Sequence, residues 1–299
     1  MSFHEELEAR TKQAEEILQK YLPAKEEAYQ KTVMDAMHYS AMAGGKRLRP
    51  VLMKECFILF GGTGEIIEPF MAALEMIHNY SLVHDDLPCM DDDMMRRGQA
   101  STWAEYGEDM GVLAGDALMI YAFEVAAKAF KEVSDADDLK RVGRAIEILA
   151  SKTGIYGMIG GQTVDVELAG GPIPKNKLDF IYRLKTGALI EASMLIGAVL
   201  GGAAEEDCKI VESLAGKVGL AFQIQDDILD VTGDQEVLGK EAGSDEKNQK
   251  TTYVTLEGLE KAKKDVEALS VQAIEDLNKL PGNNEFLENL IRILIKRQK

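Results

Sequence analysis

Asp85-Asp86-Leu87-Pro88-Cys89-Met90-Asp91-Asp92-Asp93-Met94-Met95-Arg96-Arg97-Gly98 is the stretch whose reading decides the fold. Five aspartates fall within nine residues, and two arginines follow closely. Like charges at this density repel one another unless something positive sits among them. The stretch grows out of an apolar run carrying Phe70, Met71, Leu74, Ile77, Leu82 and Val83, so it is no solvated tail. Charges at the end of a buried helix are costly when unpaired. Hard divalent cations held by carboxylate oxygens, with a substrate phosphate completing the shell, relieve that cost.

Far along the chain a second cluster reads Gln223-Ile224-Gln225-Asp226-Asp227-Ile228-Leu229-Asp230. Asp226 and Asp230 share one helix face at i and i+4, with Gln223 one turn earlier. Asp85 and Asp91 are six apart, which on an unbroken helix points them about 240° from each other. Pro88 lies between them and disturbs the turn before it, so a local bulge is expected to return Asp91 to the Asp85 side. Either cluster alone reads equally as an exposed acidic helix end. Two of them, each in an apolar helical setting, point to two carboxylate faces clamping cations between them.

The rest of the composition narrows the class. A chain of 299 residues with 46% apolar and 28% charged residues has the make-up of a soluble globular protein with a large core. The N-terminal Met1-Ser2-Phe3-His4-Glu5-Glu6 has no apolar segment of signal-peptide type. The longest nearly apolar stretch, 192–204, is too short to span a bilayer, so no membrane insertion is expected. Cys56, Cys89 and Cys208 have no ligand-like spacing and read as free thiols of a reducing cytoplasm. A net charge of −17 argues against nucleic acid and anionic lipid as partners. A phosphate ligand therefore needs the few basic residues gathered at its site, and Lys46, Arg47, Arg49, Arg96 and Arg97 are such groups.

Helical periodicity dominates, no alternating runs with hairpin turns stand out, and an all-α fold without a sheet is predicted. Helices are expected near 24–43, 69–87, 110–131, 175–200, 205–231 and 251–279, among others, in a single domain spanning 1–299. The stretch Thr232–Gln249 is glycine-rich and aperiodic, which reads as a functional lid or a disordered loop, and a lid is expected because Lys240 would otherwise have no partner in it. Gly44-Gly45-Lys46-Arg47-Leu48-Arg49-Pro50 forms a sharp basic turn before a helix that proline begins. Lys46 and Arg49 there suit a phosphate, although for this motif alone an ordinary basic turn is the favoured reading. His78 precedes Asp85 by two helical turns on nearly the same face. It is either a satisfied core histidine or a ligand contact.

Taken in order, Gly44–Pro50, Asp85–Gly98, Gly160-Gly161-Gln162, Lys185-Thr186 and Gln223–Asp230, followed by Lys240 and Lys250-Thr251-Thr252-Tyr253, resemble the trans-isoprenyl diphosphate synthases, their bacterial farnesyl-type branch most of all. The resemblance covers essentially the whole chain. It implies antiparallel helices around a central cavity, a cytoplasmic homodimer and about three Mg²⁺ ions per site. It also implies condensation of isopentenyl diphosphate with an allylic (dimethylallyl or geranyl) diphosphate, giving a C15 product and pyrophosphate, with C20 as runner-up.

By the same resemblance Asp85, Asp91 and Asp226 are Mg²⁺ ligands, with Asp86, Asp227 and Asp230 accepting from metal-bound water. Arg96, Lys185 and Lys240 face the allylic diphosphate. Lys46, Arg49, His78 and Arg97 face isopentenyl diphosphate, Thr186 and Gln223 lie near the developing carbocation, and Tyr80 forms the floor that stops chain growth. Met94 stands where the family often has a further aspartate, and Ala100 where it often has proline. A terpene cyclase is disfavoured by the Lys46/Arg49 turn and the Asp-Asp-x-x-Asp pattern at 226–230. A non-catalytic partner subunit is disfavoured because both acidic motifs are intact.

The chemistry fits these residue types. Breaking an allylic carbon–oxygen bond releases a pyrophosphate whose growing charge needs fixed cations aimed at it. The cation left behind needs a dry cavity, because water would trap it as an alcohol. Final proton removal needs only a weak base, and the departing pyrophosphate can serve.

Overall fold

The structure, a computed structural model, describes residues 2–232, 251–282 and 284–296. Helix α1 (Phe3–Tyr21) starts at a capping box: the Ser2 hydroxyl accepts from the Glu5 N–H while the Glu5 carboxylate accepts from the Ser2 N–H. Next come α2 (Lys31–Ala41), α3 (Leu48–Leu59) and α4 (Glu68–Asp85). A ribbon of β1 (Met95–Arg96) and β2 (Gln99–Ala100) leads to α5 (Thr102–Tyr106) and α6 (Glu108–Ala127). Then follow α7 (Ala136–Thr153), α8 (Met158–Glu167) and α9 (Lys175–Ile181), and a π-helical segment, Tyr182–Gly187, runs directly into α10 (Ala188–Gly201). The series closes with α11 (Glu205–Thr232), α12 (Tyr253–Glu257), α13 (Leu259–Leu277) and α14 (Glu285–Lys296).

The fold is all-α, as the periodicity predicts. Every residue from Ala188 to Leu200 is buried, so α10 has no solvent face and has to occupy the middle of the bundle. Around it pack α3, α7 and α11, while α4 lies against α6. One hydrophobic cluster extends from Ala14 to Ile295. Cys56, Cys89 and Cys208 are free thiols.

Several elements differ from expectation for identifiable reasons. The helix expected from 24 begins only at Lys31, because the preceding Lys25, Glu26 and Glu27 are exposed and have nothing to bury. The ribbon contradicts the absence of a sheet, yet it is only two residues per strand. Gly258, at φ 84°, splits the helix predicted over 251–279. Two helices, Glu108–Lys131 and Lys175–Gly201, are long and apolar enough to cross a membrane by length and composition, beyond the one short stretch noted in the sequence. The second is mostly buried as the core of the bundle, whereas the first leaves Val112, Leu113 and Ile120 exposed. Lys240, Lys250 and all of the expected lid beyond Thr232 lie outside the described residues.

Candidate active site

The last turn of α4 delivers Asp85, and there the helix stops. Pro88 has no N–H to continue the ladder and its ring collides with a continuing helix. The chain instead folds back on itself: the Asp91 N–H donates to the Asp85 carbonyl at 2.8 Å, and the Asp93 N–H to that of Asp86 at 3.1 Å. Asp91 is thus returned to Asp85, by a terminated helix and a tight loop rather than by the expected bulge in a continuing helix.

Asp86 is only 2% exposed. Arg96 grips it through two nitrogens: its Nε–H is shared between Oδ1 at 2.9 Å and Oδ2 at 3.2 Å, while Nη2 bonds Oδ1 and reaches Asp93. Fork geometry of this kind matches guanidinium to carboxylate. The arginine arrives by the ribbon. Arg97 (φ 53°) and Gly98 (φ 83°) occupy a two-residue reversal that demands positive φ at both positions, and this turn fixes where both arginines go. Arg97 then crosses to the first basic loop, where Nη1 donates to the Gly44 carbonyl. It lies so close over Gly45 that a Cβ there would stand 3.0 Å from the Arg97 guanidinium carbon. Two basic motifs some fifty residues apart in the chain are thereby joined. Met94 points to solvent, and the Ala100 carbonyl accepts from Tyr39 Oη at 2.8 Å, so neither departure from the family pattern loosens the ribbon.

On the opposite wall, α8 crosses the π-helical segment at very short range. A Cβ on Gly161 would fall 2.3 Å from the Lys185 backbone nitrogen, so only glycine permits the crossing. The next residue, Gln162, donates from Nε2 to Asp85 Oδ1 at 2.7 Å. One turn further, Asp165 Oδ2 pairs with Lys185 Nζ at 2.7 Å. Burial works against the Lys185 charge, but Asp165 and Asp85 outweigh it and raise its pKa. Burial pushes the Asp85 carboxyl up to about 6, against the pull of Lys185. The π geometry belongs to this chemistry: wide turns of that kind concentrate at functional sites, and here one presents Lys185 and Thr186 together.

The acid end of α11 is tied to the same segment. Tyr182 Oη donates to Asp227 Oδ2 at 2.6 Å, and the Tyr253 N–H donates to the same oxygen at 2.7 Å. Asp226, Asp230 and Gln223 stand half-buried along that helix. Asp86 and Asp227 are therefore engaged by protein donors.

Between these walls lies a cavity of about 610 Å³. Arg49 and His78 line it, with Asp85, Gln162, Lys185 and Thr186. Apolar lining comes from Tyr80, Met119, Met158, Ile159 and Leu189. Burial, with Arg49 and Arg97 close by, holds the His78 pKa well below the ordinary 6.5, so His78 meets a ligand as a neutral imidazole. Burial likewise lowers the Arg49 pKa, and its Nε is buried without a partner among the described residues.

Arg47, by contrast, turns away. It is 2% exposed, donates to Glu75 at 3.0 Å and to the Ala41 carbonyl at 2.7 Å, and serves the core rather than the ligand. Lys46 is exposed at the loop. Lys46, Asp91, Arg96, Arg97, Gln223 and Asp226 are not in the cavity's described lining, unlike Arg49, His78, Tyr80, Asp85, Lys185 and Thr186.

The donor set suits Mg²⁺. Among the described residues no three His, Cys, Asp or Glu side chains converge into a ready cage. A cation that keeps its waters and binds through one or two carboxylates plus substrate phosphates needs none. Gln162 Oε1, buried without a partner among the described residues, is an oxygen still in want of a donor such as a coordinated water. The reading of the sequence left Gln162 without a role and passed over Asp165 entirely. Their spacing of i and i+3 on one helix face was visible, but their partners were not.

An all-helical bundle with acids and cations at the mouth of an apolar cavity defines a protein for molecules with a polyanionic head and a greasy tail. Residues 30–289 match the family model described as polyprenyl synthetase, and the chain belongs to that family. It is 41% identical to the farnesyl diphosphate synthase of Escherichia coli (strain K12), all of both chains being covered. It is 45% identical to a geranylgeranyl diphosphate synthase of Cyanophora paradoxa, over 82% of this chain and 81% of that one. Among solved structures it is similar to an FPP/GFPP synthase from Zymomonas mobilis (TM-score 0.85, 32% identity, 98% of each chain). It is also similar to a geranyltransferase from Helicobacter pylori complexed with magnesium and isoprenyl diphosphate (TM-score 0.82, 31% identity, 99% of this chain and 97% of that one).

Proposed function

We propose that this chain is a Mg²⁺-dependent prenyltransferase that joins isopentenyl diphosphate to dimethylallyl and then geranyl diphosphate, releasing pyrophosphate and ending at a C15 chain. The observation that carries it is the cavity lined by His78 and Asp85 of α4, by Lys185 of the π-helical segment and by Arg49, with apolar side chains between them. Bound Mg²⁺ supplies positive charge against the departing pyrophosphate, and Asp85, Asp91 and Asp226 are the residues we assign to hold it.

Lys185 adds a fixed ammonium for the allylic diphosphate, with Arg96 beside it once its hold on Asp86 and Asp93 is shared with ligand. Arg49, Lys46 and Arg97 meet the second diphosphate, whose oxygens would satisfy the buried Arg49 Nε. Neutral His78 offers a hydrogen bond without adding to the arginine charge. Thr186 and Gln223 are assigned the oxygen dipoles near the carbocation. The apolar lining keeps water from the cation. Tyr80, 6% exposed and edge-on to His84 at 5.8 Å, closes the tail end. A C20 product is the second reading, since relatives carrying both product names are similar to this chain to nearly the same degree.

We further propose one domain over 1–299, a cytoplasmic location and a homodimer. Val112, Leu113 and Ile120 on α6, with Ile155, Tyr156 and Ile159 around the start of α8, form exposed apolar surface that suits a second copy. Incubation with Mg²⁺, isopentenyl diphosphate and either allylic starter, followed by chromatography, tests the assignment; no prenyl product from either starter defeats it. Tyr80→Ala should lengthen the main product by at least one C5 unit. An unchanged C15 product would show that Tyr80 is not the floor.

A further inference from the structure

Two neighbouring aspartates at the end of α4 are held by different chemistry. Asp86 meets the Arg96 guanidinium, a full charge against a full charge. Asp85 meets a neutral amide, Gln162 Nε2 at 2.7 Å from Oδ1. An ionised carboxylate only accepts, so this contact assigns the amide: nitrogen toward Asp85, Oε1 away from it. Oε1 is then a buried carbonyl oxygen with no hydrogen-bond partner among the described residues, on a side chain that lines the cavity. Buried acceptors are rarely left in that condition. Asp165, one turn along the same helix, holds Lys185 Nζ in a comparable way.

We propose that Gln162 is a positioning residue for the divalent cation. Its N–H fixes the rotation of the Asp85 carboxylate so that Oδ2 faces the cation, and its carbonyl oxygen accepts from a water in the cation's shell. A neutral donor does this without cancelling the charge the cation needs, which is the difference between Asp85 and Asp86. Asp165 sets Lys185 from the same turn of α8, so one short element fixes the spacing between the acid and the ammonium. The inference rests on the diphosphate and Mg²⁺ reading of the site.

The test is calorimetric binding of inorganic pyrophosphate across a Mg²⁺ titration, for the parent chain and for Gln162→Met. Methionine keeps the length and removes both amide functions. Loss of a partner that orients a metal ligand costs about 10–100-fold in metal affinity, and the Mg²⁺ midpoint is expected to move by that factor. Pyrophosphate affinity at saturating Mg²⁺, and KM for isopentenyl diphosphate, should stay within about twofold, because Arg49 and Lys185 are untouched. Gln162→Leu serves if the methionine variant fails to fold. A folded variant whose Mg²⁺ midpoint coincides with the parent's overturns the role of Gln162 alone. A parent chain that binds no pyrophosphate at any Mg²⁺ concentration overturns the reading of the site as well.

Discussion

Each acidic cluster opens with two adjacent aspartates, and the members of each pair meet opposite fates. Asp86 and Asp227 are 2% and 5% exposed, whereas Asp85 and Asp226 are only half-buried. Neighbours on a helix point about 100° apart, so when one is turned outward the other is turned into the protein. The buried members then serve different joints. Asp86 ties α4 to the ribbon through a guanidinium. Asp227 ties α11 to the π-helical segment and to α12 through a hydroxyl and a backbone N–H. Doubling the aspartate thus couples a half-buried carboxylate to an anchored one, by charge at one cluster and by hydrogen bonds at the other.

The largest effect that would break this comparison is on turnover. Asp85→Asn and Asp226→Asn should each lower kcat by on the order of 10³-fold while leaving thermal stability near the parent's. If Asp86→Asn alone matched that loss with no change in Tm, the two members of the pair would not differ as described. Next, Asp227→Ala leaves Tyr182 Oη and the Tyr253 N–H without their acceptor, and should cost about 3 kcal/mol in urea unfolding. Arg96→Met sharpens the charge side. It strands the buried Asp86, but the Arg96 side chain keeps 30% exposure, so the expected cost is the smaller figure of about 2 kcal/mol.

The smallest effect is in pH. The folded state keeps His78 neutral well below 6.5, so the unfolded chain binds more protons there and stability falls as pH drops below about 6.5. His78→Gln should flatten that fall in Tm between about pH 7 and pH 5. Parallel curves for variant and parent would remove His78 from the group of buried neutral residues around Arg49.

How much of this was legible differs between the two clusters. Asp226 and Asp230 could be placed on one face from spacing alone, since α11 runs unbroken through them. Asp85 and Asp91 could not, because their relation depends on a helix that ends and a loop that returns. The proline was a signal that something breaks, not of what replaces it. The ribbon was missed for a similar reason: Arg97-Gly98 lacks the asparagine or aspartate that usually marks a two-residue reversal. Arg47 looked like its neighbours Lys46 and Arg49. Its left-handed backbone (φ 46°) and its partners Glu75 and Ala41, far from it in the chain or across a turn, send it to the core instead.

Residue types and their order along the chain by themselves determined that this is an all-helical protein with two acid-bearing helix ends, a net charge of −17, and enough apolar periodicity for a large core. Those features are local, set by helical spacing and by the cost of unpaired charge. Which carboxylate stays half-buried and which is locked away was decided only in three dimensions, along with the crossing of Gly161 over Lys185 and the reach of Gln162 to Asp85. Each depends on contacts between segments dozens of residues apart, whose geometry exists only once the helices have packed.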